Sequence, residues 1–300
     1  MPSRKRNRGA GGGPLTAAQQ AAFARDGYIT LPGLLPAAAL RPLRRELRAL
    51  QVASEQAQDS ALESTVPPSD RSACQFACDE KGRERVPRQL FKCQGVGLSS
   101  SGPTILGLLR HPQLADAALQ LSGVESELEP GSWLDAFGTK FFPVSAGGTV
   151  SSVGWHDDNY FFGTTRSRTI SCVVYLRHTS RASGCLRAVP GSHLAEVVGP
   201  DRGHLYEYDV LRKGEYIPER VVERLAREMR SSALDLGVSE GTAVLFDANL
   251  LHATWPNASE RASERLAFHY IPSELEATGF RGTSFARDKF KDRYVAVDPS

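Results

Sequence analysis

The sequence predicts a mainly β fold with flanking helices, in the form of a β-sandwich or jelly roll. In the first part of the folded sequence, from Leu15 to Gly123, apolar residues recur with the spacing of amphipathic helices. From Gly131 onward, short segments rich in β-branched and aromatic residues alternate with turn signals. Short, irregularly spaced strands that follow a helical part are typical of a sandwich or jelly roll backed by helices.

End signals mark the first elements of the chain. Thr16 is a good N-cap for the helix AAQQAAFARD, Gly27 ends that helix, and a strand is predicted at 28–31. A second helix is predicted at 37–57, with Pro42 in its first turn. The apolar face of this helix consists of Leu40, Leu43, Leu47 and Leu50.

The remaining elements follow from periodicity. A polar segment at 54–88 predicts a long loop, and two helices, TILGLLRH and PQLADAALQLSG, are expected with a break at Pro112. The predicted strands lie at 133–142, 169–176, 185–189, 242–247 and 265–271. A further helix is predicted at 217–231, where Val221, Leu225 and Met229 share one face.

Composition excludes several classes of protein. The 36 basic and 34 acidic residues give a net charge of only +2 in 300 residues, which does not favour nucleic-acid binding. No apolar run approaches the ~20 residues that a membrane helix needs, and no hydrophobic signal segment opens the chain. The 5 cysteines lack zinc spacing and indicate reduced thiols. We expect a cytoplasmic monomer without membrane or nucleic-acid partners.

The chain is expected to form one domain at 15–300 after a short tail. Residues 1–14 are basic and then glycine-rich, with nothing from which to build a core. The run from Arg4 to Arg8 is interpreted as a solvated tail, with a nuclear import signal or a phosphate-attracting arm as the alternatives.

Two short segments carry three candidate metal ligands. The segment GWHDDNY contains His156 and Asp158 as His-x-Asp, and His252 directly follows a predicted strand. Side chains two residues apart on a strand share one side, so His156 and Asp158 can reach one ion while Asp157 points away. Two imidazoles and one carboxylate leave three positions open, which suits iron(II) with 2-oxoglutarate in two of them and dioxygen in the third.

Five landmarks between Leu15 and Pro272 occur in a specific order. They are AFARDGYITLPGLL, TKFFP, WHDDNYFFG, GCLRAVPGSH and EGTAVLFDANLLHATWPNASERASERLAFHYI. With them the chain resembles the phytanoyl-CoA dioxygenase family of Fe(II)/2-oxoglutarate-dependent oxygenases. The resemblance implies a double-stranded β-helix with iron bound by His156, Asp158 and His252. It implies a dioxygenase that hydroxylates a small molecule, an acyl-CoA or another metabolite, and the carboxylate of Asp158 favours hydroxylation over halogenation.

The family's cosubstrate arginine is displaced in this sequence. It lies on the strand after the distal histidine, and at the usual spacing this chain has Ser263, flanked by Arg261 and Arg265. Arg265 begins an apolar strand, as in the family, so a two-residue insertion is the simplest explanation. The resemblance therefore implies that Arg265 binds the distal carboxylate of 2-oxoglutarate, with Arg261 as the alternative.

Two more residues resemble cosubstrate contacts. Thr254 stands where a hydroxyl usually donates to the same carboxylate, and Lys92, in LFKCQG, matches a strand lysine that helps to bind 2-oxoglutarate. A surface lysine is the alternative for Lys92. Lys140 occupies a recurrent family position without an assigned role, and His269 has no partner at ligand spacing and is interpreted as ordinary.

The substrate is not specified by these residues. The loops 54–88 and 194–216 are predicted to select it, and the second carries Arg202, Arg212 and Lys213, which either attract an anion or form a solvated face. Two other functions stay open: a non-catalytic metal-binding jelly-roll protein, and a cupin-like metalloenzyme that does not use 2-oxoglutarate.

Overall fold

The structure is a computed structural model of the chain. It describes residues 15–56, 74–77, 87–96, 103–123, 134–144, 146, 152–163, 169–194, 203–209, 212, 214–272 and 295–297. The predicted tail at 1–14 and most of the predicted loop at 54–88 lie outside the described residues, as do Arg202 and Lys213.

The helices surround a β-sheet core. They are α1 (Ala17–Asp26), α2 (Ala37–Gln56), α3 (Pro103–Leu109), α4 (Pro112–Ser122), α5 (Asn159–Phe162) and α6 (Glu219–Glu228), with a 3-10 turn at Gly203–Leu205. None of the described helices is long and apolar enough to cross a membrane.

The strands form one large sheet and two small ones. In chain order they are β1 (Tyr28–Leu31), β2 (Cys74–Phe76), β3 (Leu90–Gln94), β4 (Leu134–Val144), β5 (Ile170–Tyr175), β6 (Leu186–Ala188), β7 (Glu207–Asp209), β8 (Gly214–Tyr216), β9 (Leu234–Leu236), β10 (Ala243–Asp247), β11 (His252–Thr254), β12 (Ser263–Pro272) and β13 (Val295–Val297). The large sheet has the order β1-β10-β5-β12-β4-β3-β2, with β13 also on β4. The small sheets are β11-β6-β9 and the hairpin β7-β8.

Local signals specify the N-terminal elements. Thr16 and Gln19 form a capping box on α1, and Gly27 ends the helix with φ +82°, a left-handed conformation that glycine adopts without strain. The predicted apolar face of α2 is confirmed, because Leu40, Leu43 and Leu47 are buried. The position predicted for Pro42 was wrong, since α2 begins at Ala37 and the proline lies in the second turn.

Alternation along the strands separates two cores. On β5 and β12, one set of side chains packs against the helices, among them Cys172, Val174, Leu266 and Phe268. The opposite set, which includes Val173 and Ala267, faces the small sheet β11-β6-β9, where Leu186, Ala188 and Leu236 complete an inner core. Two facing sheets of this kind, with helices behind the larger one, form the predicted jelly roll.

All six predicted strands are present. The strand at 28–31 has the predicted bounds, and those of the other five differ by at most two residues. The predicted helix at 217–231 corresponds to α6. Its most buried residues are Val222 and Ala226, and the predicted Val221, Leu225 and Met229 pack on either side of them as partly buried residues.

Candidate active site

Backbone pairing brings the two candidate histidines together. The N–H of His156 donates to the carbonyl of His252 over 3.0 Å, and the N–H of His252 donates back over 2.9 Å. Asp158 has helical φ and ψ of −67° and −31° and precedes α5 directly. Strand alternation is therefore not what places Asp158 beside His156; the chain leaves the extended conformation and turns there.

The imidazole and carboxylate groups form a compact cluster. One ligand atom from each of His156, Asp158 and His252 lies within 4.8 Å of the others, and all three residues are buried. Nδ1 of His156 lies 2.8 Å from the carbonyl oxygen of Gly154, and Nδ1 of His252 lies 2.9 Å from that of Leu250. Such contacts fix the ring orientation and leave Nε2 available as a ligand atom. Among the described residues, these three are the group that could hold a metal ion.

The charge state of the cluster suits a cation. Burial alone would raise the pKa of Asp158, but the neighbouring His269 and His252 hold it well below its usual range. Burial lowers the pKa of His252 to about 4, so the ring stays neutral with a lone pair on Nε2. A neutral imidazole and an ionised carboxylate are the forms that bind metals.

Asp157 has a separate, structural role. Its carboxylate accepts hydrogen bonds from the hydroxyl of Tyr206 over 2.8 Å and from the N–H of Tyr160 over 2.8 Å. Asp157 is fully buried and lies outside the metal-ligating group, as the sequence predicts.

The cluster and Arg265 line the same pocket. The guanidinium is buried on β12, and its Nη1 donates to the carbonyl of Gly184 over 2.5 Å. Its Nη2 atom and the hydroxyl oxygen of Tyr175 are buried without a hydrogen-bond partner among the described residues. Both residues line the pocket, whereas Arg261 is exposed outside it. The structure thus brings Arg265, and not Arg261, to the cluster.

The other predicted cosubstrate residues fall in different places. Thr254 lines the pocket, and its Oγ1 accepts a hydrogen bond from the N–H of Val153 over 2.8 Å. Lys92 lies on β3, partly buried, and is not part of the pocket wall. The lysine of the wall is the buried Lys140 of the neighbouring strand β4.

Three pocket residues were not predicted from the sequence. Tyr175 stands opposite Arg265 on β5 and β12, and Ser171 stands opposite His269 on the same two strands. His269, predicted to be ordinary, lies with Ser171 in the pocket wall. Alternation from Arg265 along β12 would have placed His269 on the same face, since the two residues are four apart.

A surface cleft of about 370 Å³ adjoins this pocket. Val153 and Thr254 belong to the walls of both. Tyr216 lines the cleft and stands edge-on to the ring of His156, with 6.1 Å between the ring centroids. The other charged and aromatic residues of the cleft wall are Trp155, Arg187, Glu207, Tyr208, Asp209, Arg212 and Glu219.

The family of the chain follows from a direct comparison. The family model described as phytanoyl-CoA dioxygenase (PhyH) matches residues 23–266, which is most of the chain. The chain belongs to the phytanoyl-CoA dioxygenase family. This membership confirms the predicted enzyme class, a 2-oxoglutarate-dependent dioxygenase, with iron, 2-oxoglutarate and dioxygen as its cofactors. The two imidazoles and one carboxylate of the cluster fit an iron(II) ion with three open positions.

Similar proteins include enzymes with small substrates. The chain is 28% identical to ectoine dioxygenase from Sphingopyxis alaskensis over 274 residues, which cover 88% of this chain and 78% of the relative. It is 25% identical to L-proline trans-4-hydroxylase from Streptomyces griseoviridis, with 79% of each chain covered. The crystal structure of EctD from S. alaskensis with 2-oxoglutarate and 5-hydroxyectoine superimposes with a TM-score of 0.60 at 21% identity, over 90% of this chain and 85% of that one. This last likeness concerns the fold alone.

Proposed function

We propose that the protein hydroxylates an unactivated C–H bond of a compact polar metabolite, with His156, Asp158 and His252 as the iron ligands and Arg265 as the cosubstrate arginine. The observation that carries this proposal is a buried cation beside a metal-ligand cluster. Arg265 is only 2% exposed and lines the same pocket as the three candidate ligands.

Arg265 fits a carboxylate that the chain itself does not supply. Arginine keeps its charge in proteins, and a buried charge without a partner costs several kcal/mol. Among the described residues no carboxylate forms an ion pair with Arg265, and its Nη2 has no hydrogen-bond acceptor. The distal carboxylate of 2-oxoglutarate would provide both the acceptor and the countercharge.

Tyr175 and Thr254 are proposed to assist Arg265. Burial raises the pKa of Tyr175 to about 12, so its hydroxyl keeps the proton and acts as a donor. The Oγ1 of Thr254 already accepts from Val153, which leaves its own proton to donate into the pocket. Three donors of this kind would bind one carboxylate in a fixed orientation.

The bound cofactors supply the oxidising power, and the chain supplies position and exclusion of water. The ligand rings are oriented by backbone carbonyls, and Phe246 packs against His252 with 4.7 Å between the ring centroids. The cleft reaches the cluster at Tyr216, which lines the cleft and stands edge-on to the ring of His156. The reacting C–H bond would therefore approach the iron from the side of the cleft.

The cleft favours a compact substrate without excess negative charge. Its volume of about 370 Å³ is near the lower end of ligand sites. Its guanidiniums are already paired, Arg187 with Glu219 over 2.8 Å and Arg212 with Asp209. A coenzyme A thioester, with several phosphates, would need unpaired cations, which the described residues of the cleft wall do not provide. Ectoine and L-proline, named for the relatives, are the first substrates to test.

Binding of 2-oxoglutarate tests the proposal directly. Protein purified without oxygen is loaded with Fe(II) and titrated with 2-oxoglutarate, while the metal-to-ligand charge-transfer absorption is recorded. We expect the band in the wild type, its loss in Arg265→Ala, and its retention in the control Arg261→Ala, which removes an exposed arginine close in sequence. If the two variants bound 2-oxoglutarate with the same affinity and gave the same absorption band, the role of Arg265 would be contradicted.

The same titration separates the alternatives. Bound iron without any band in the wild type favours a metal-binding protein or an enzyme that uses dioxygen without 2-oxoglutarate. Decarboxylation of 2-oxoglutarate that increases with ectoine or L-proline, together with a product heavier by one oxygen atom, would establish hydroxylation.

A further inference from the structure

A buried chain of polar side chains leads from Asp158 into the large sheet. The hydroxyl of Ser171 donates to Oδ2 of Asp158 over 2.6 Å and lies 2.9 Å from Nδ1 of His269. On the other side of this ring, Nε2 lies 3.4 Å from Nζ of Lys140. Ser171 and His269 are only 1% and 2% exposed, and neither belongs to the metal-ligating group.

The hydrogen bonds that link Lys140, His269, Ser171 and Asp158 have only one possible direction, from Lys140 as the first donor to Asp158 as the last acceptor. The ammonium group of lysine donates and cannot accept, so Nε2 of His269 is the acceptor. A neutral imidazole then carries its proton on Nδ1, which donates to the oxygen of Ser171. The single hydroxyl proton of Ser171 is left for Asp158.

The fold holds each member in place. Ser171 and His269 are direct partners across β5 and β12. The ring of His269 packs against two aromatic rings, with centroids 4.6 Å from Phe162 and 5.4 Å from Phe137. A histidine packed in this way cannot rotate to present another nitrogen to Ser171, so the arrangement is preorganised.

We propose that Ser171 and His269 are positioning residues that make Asp158 a ligand through one oxygen only. The Ser171 hydroxyl occupies Oδ2, which leaves Oδ1 for the metal. A carboxylate bound through both oxygens would take a fourth position on a six-coordinate ion. Two positions would then remain, too few for a cosubstrate bound at two points together with dioxygen. This inference rests on the proposed iron site.

Cobalt(II) binding tests the inference without turnover. Metal-free wild type and Ser171→Ala are titrated anaerobically with Co(II), and the d–d absorption is recorded, because its intensity and shape report coordination number. We expect Ser171→Ala to bind Co(II) ~10–100-fold more weakly, as for other changes behind a metal ligand, with an altered spectrum. The matched control is Ser263→Ala, since Ser263 is equally buried and its Oγ has no partner among the described residues.

Variants of His269 test the direction of the chain. Asparagine retains an N–H donor near the position of Nδ1, whereas leucine removes it. We expect His269→Leu to weaken Co(II) binding as Ser171→Ala does, and His269→Asn to recover most of the affinity. The double variant Ser171→Ala/His269→Leu should bind no more weakly than Ser171→Ala alone, because both changes act through the same carboxylate oxygen.

The outcomes separate this inference from the proposed function. If the wild type binds Co(II) and Ser171→Ala has the same affinity and spectrum, the positioning role is overturned and the proposed iron site stands. If the losses of Co(II) affinity in the two single variants add up in the double variant, Ser171 and His269 do not act through one hydrogen-bonded network. Failure of the wild type to bind Co(II) overturns both the site and the inference. Near-ultraviolet circular dichroism of each metal-free variant verifies folding, and Ser171→Ala, which removes one hydroxyl, carries the test if His269→Leu does not fold.

Discussion

Tyr175 and Arg265 stand directly opposite each other on β5 and β12, and each buries a polar atom that has no hydrogen-bond partner among the described residues. Buried polar groups are normally satisfied, so two unsatisfied polar atoms side by side in one pocket favour a bound ligand that accepts hydrogen bonds. A carboxylate fits this place, because its oxygens accept from both groups and balance the charge of the guanidinium. We therefore propose that the pair binds the distal carboxylate of 2-oxoglutarate in the pocket that His156, Asp158 and His252 also line.

Loss of the Tyr175 hydroxyl should weaken 2-oxoglutarate binding. A hydrogen bond to a charged group contributes about 1.5–3 kcal/mol, so Tyr175→Phe is expected to raise the Kd of 2-oxoglutarate by about tenfold or more. Affinity for the metal should not change, since Tyr175 is not a ligand. Titration of the Co(II) form with 2-oxoglutarate measures the effect. Tyr270→Phe is the control, because the Tyr270 hydroxyl donates to the carbonyl of Leu109 instead. Equal affinities for the two variants would refute the contact.

Removal of the carboxylate ligand should abolish metal binding. Asp158→Ala is expected to lose Fe(II) and Co(II) binding and decarboxylation of 2-oxoglutarate, whereas Asp157→Asn should keep the metal because Asp157 holds Tyr206 and Tyr160. A ligand at 100 times its Kd stabilises the folded state by about 2.7 kcal/mol. The thermal midpoint of wild type should therefore rise with excess Co(II), and that of Asp158→Ala should not. A metal-dependent rise in Asp158→Ala would contradict the assignment.

Substitution of two glycines by alanine should change the free energy of unfolding in opposite directions. A Cβ at Gly154 would lie 2.7 Å from Cγ of Tyr216, which stands over His156. Gly154→Ala is thus expected to destabilise by about 1–3 kcal/mol through overpacking. At Gly107, inside α3, a Cβ would meet nothing within 4 Å. Gly107→Ala should therefore stabilise by about 0.5–1 kcal/mol, the usual gain for alanine in a helix. Urea unfolding of the metal-free proteins measures both, and a stable Gly154→Ala would show that Tyr216 moves without cost.

The sequence predicted the elements where a signal is local. Thr16 and Gly27 mark the ends of α1, and the spacing of Leu40, Leu43 and Leu47 gives the buried face of α2. Pro42 was misplaced because proline favours the first turn of a helix, yet the exposed start of α2 accommodates it one turn later.

The site was predictable only where motifs carry it. His156, Asp158 and His252 lie in short recognisable segments, although the reason given for Asp158 was wrong, since it starts a helical turn rather than continuing a strand. Ser171, Tyr175 and His269 were missed because their partners lie on other strands. Strand register joins Ser171 to His269 across 98 residues, and no local pattern encodes that register.

Lys92 should make the stability of the metal-free protein depend on pH. Burial, followed by the nearby Lys140, lowers the pKa of Lys92 to about 8. In the unfolded chain a lysine has a pKa of about 10.4. Between pH 8 and about 10.4 the unfolded state binds more protons than the folded state, so the free energy of unfolding rises with pH in this window. Below pH 8 the folded protein bears the full cost of burying the charged ammonium group.

Lys92→Met should accordingly be more stable than wild type at pH 7. The difference in free energy of unfolding between the variant and wild type should shrink by about 1 kcal/mol for each pH unit between pH 8 and pH 10. In this range Lys92 of the wild type is neutral in the folded state, so less charge is buried as the pH rises. Urea unfolding of both proteins across this range measures the difference. The control Arg45→Met removes an exposed cation on α2 and should give a difference from wild type that does not vary with pH. If Lys92→Met behaved like this control, Lys92 would be an ordinary surface lysine, the alternative that its sequence context left open.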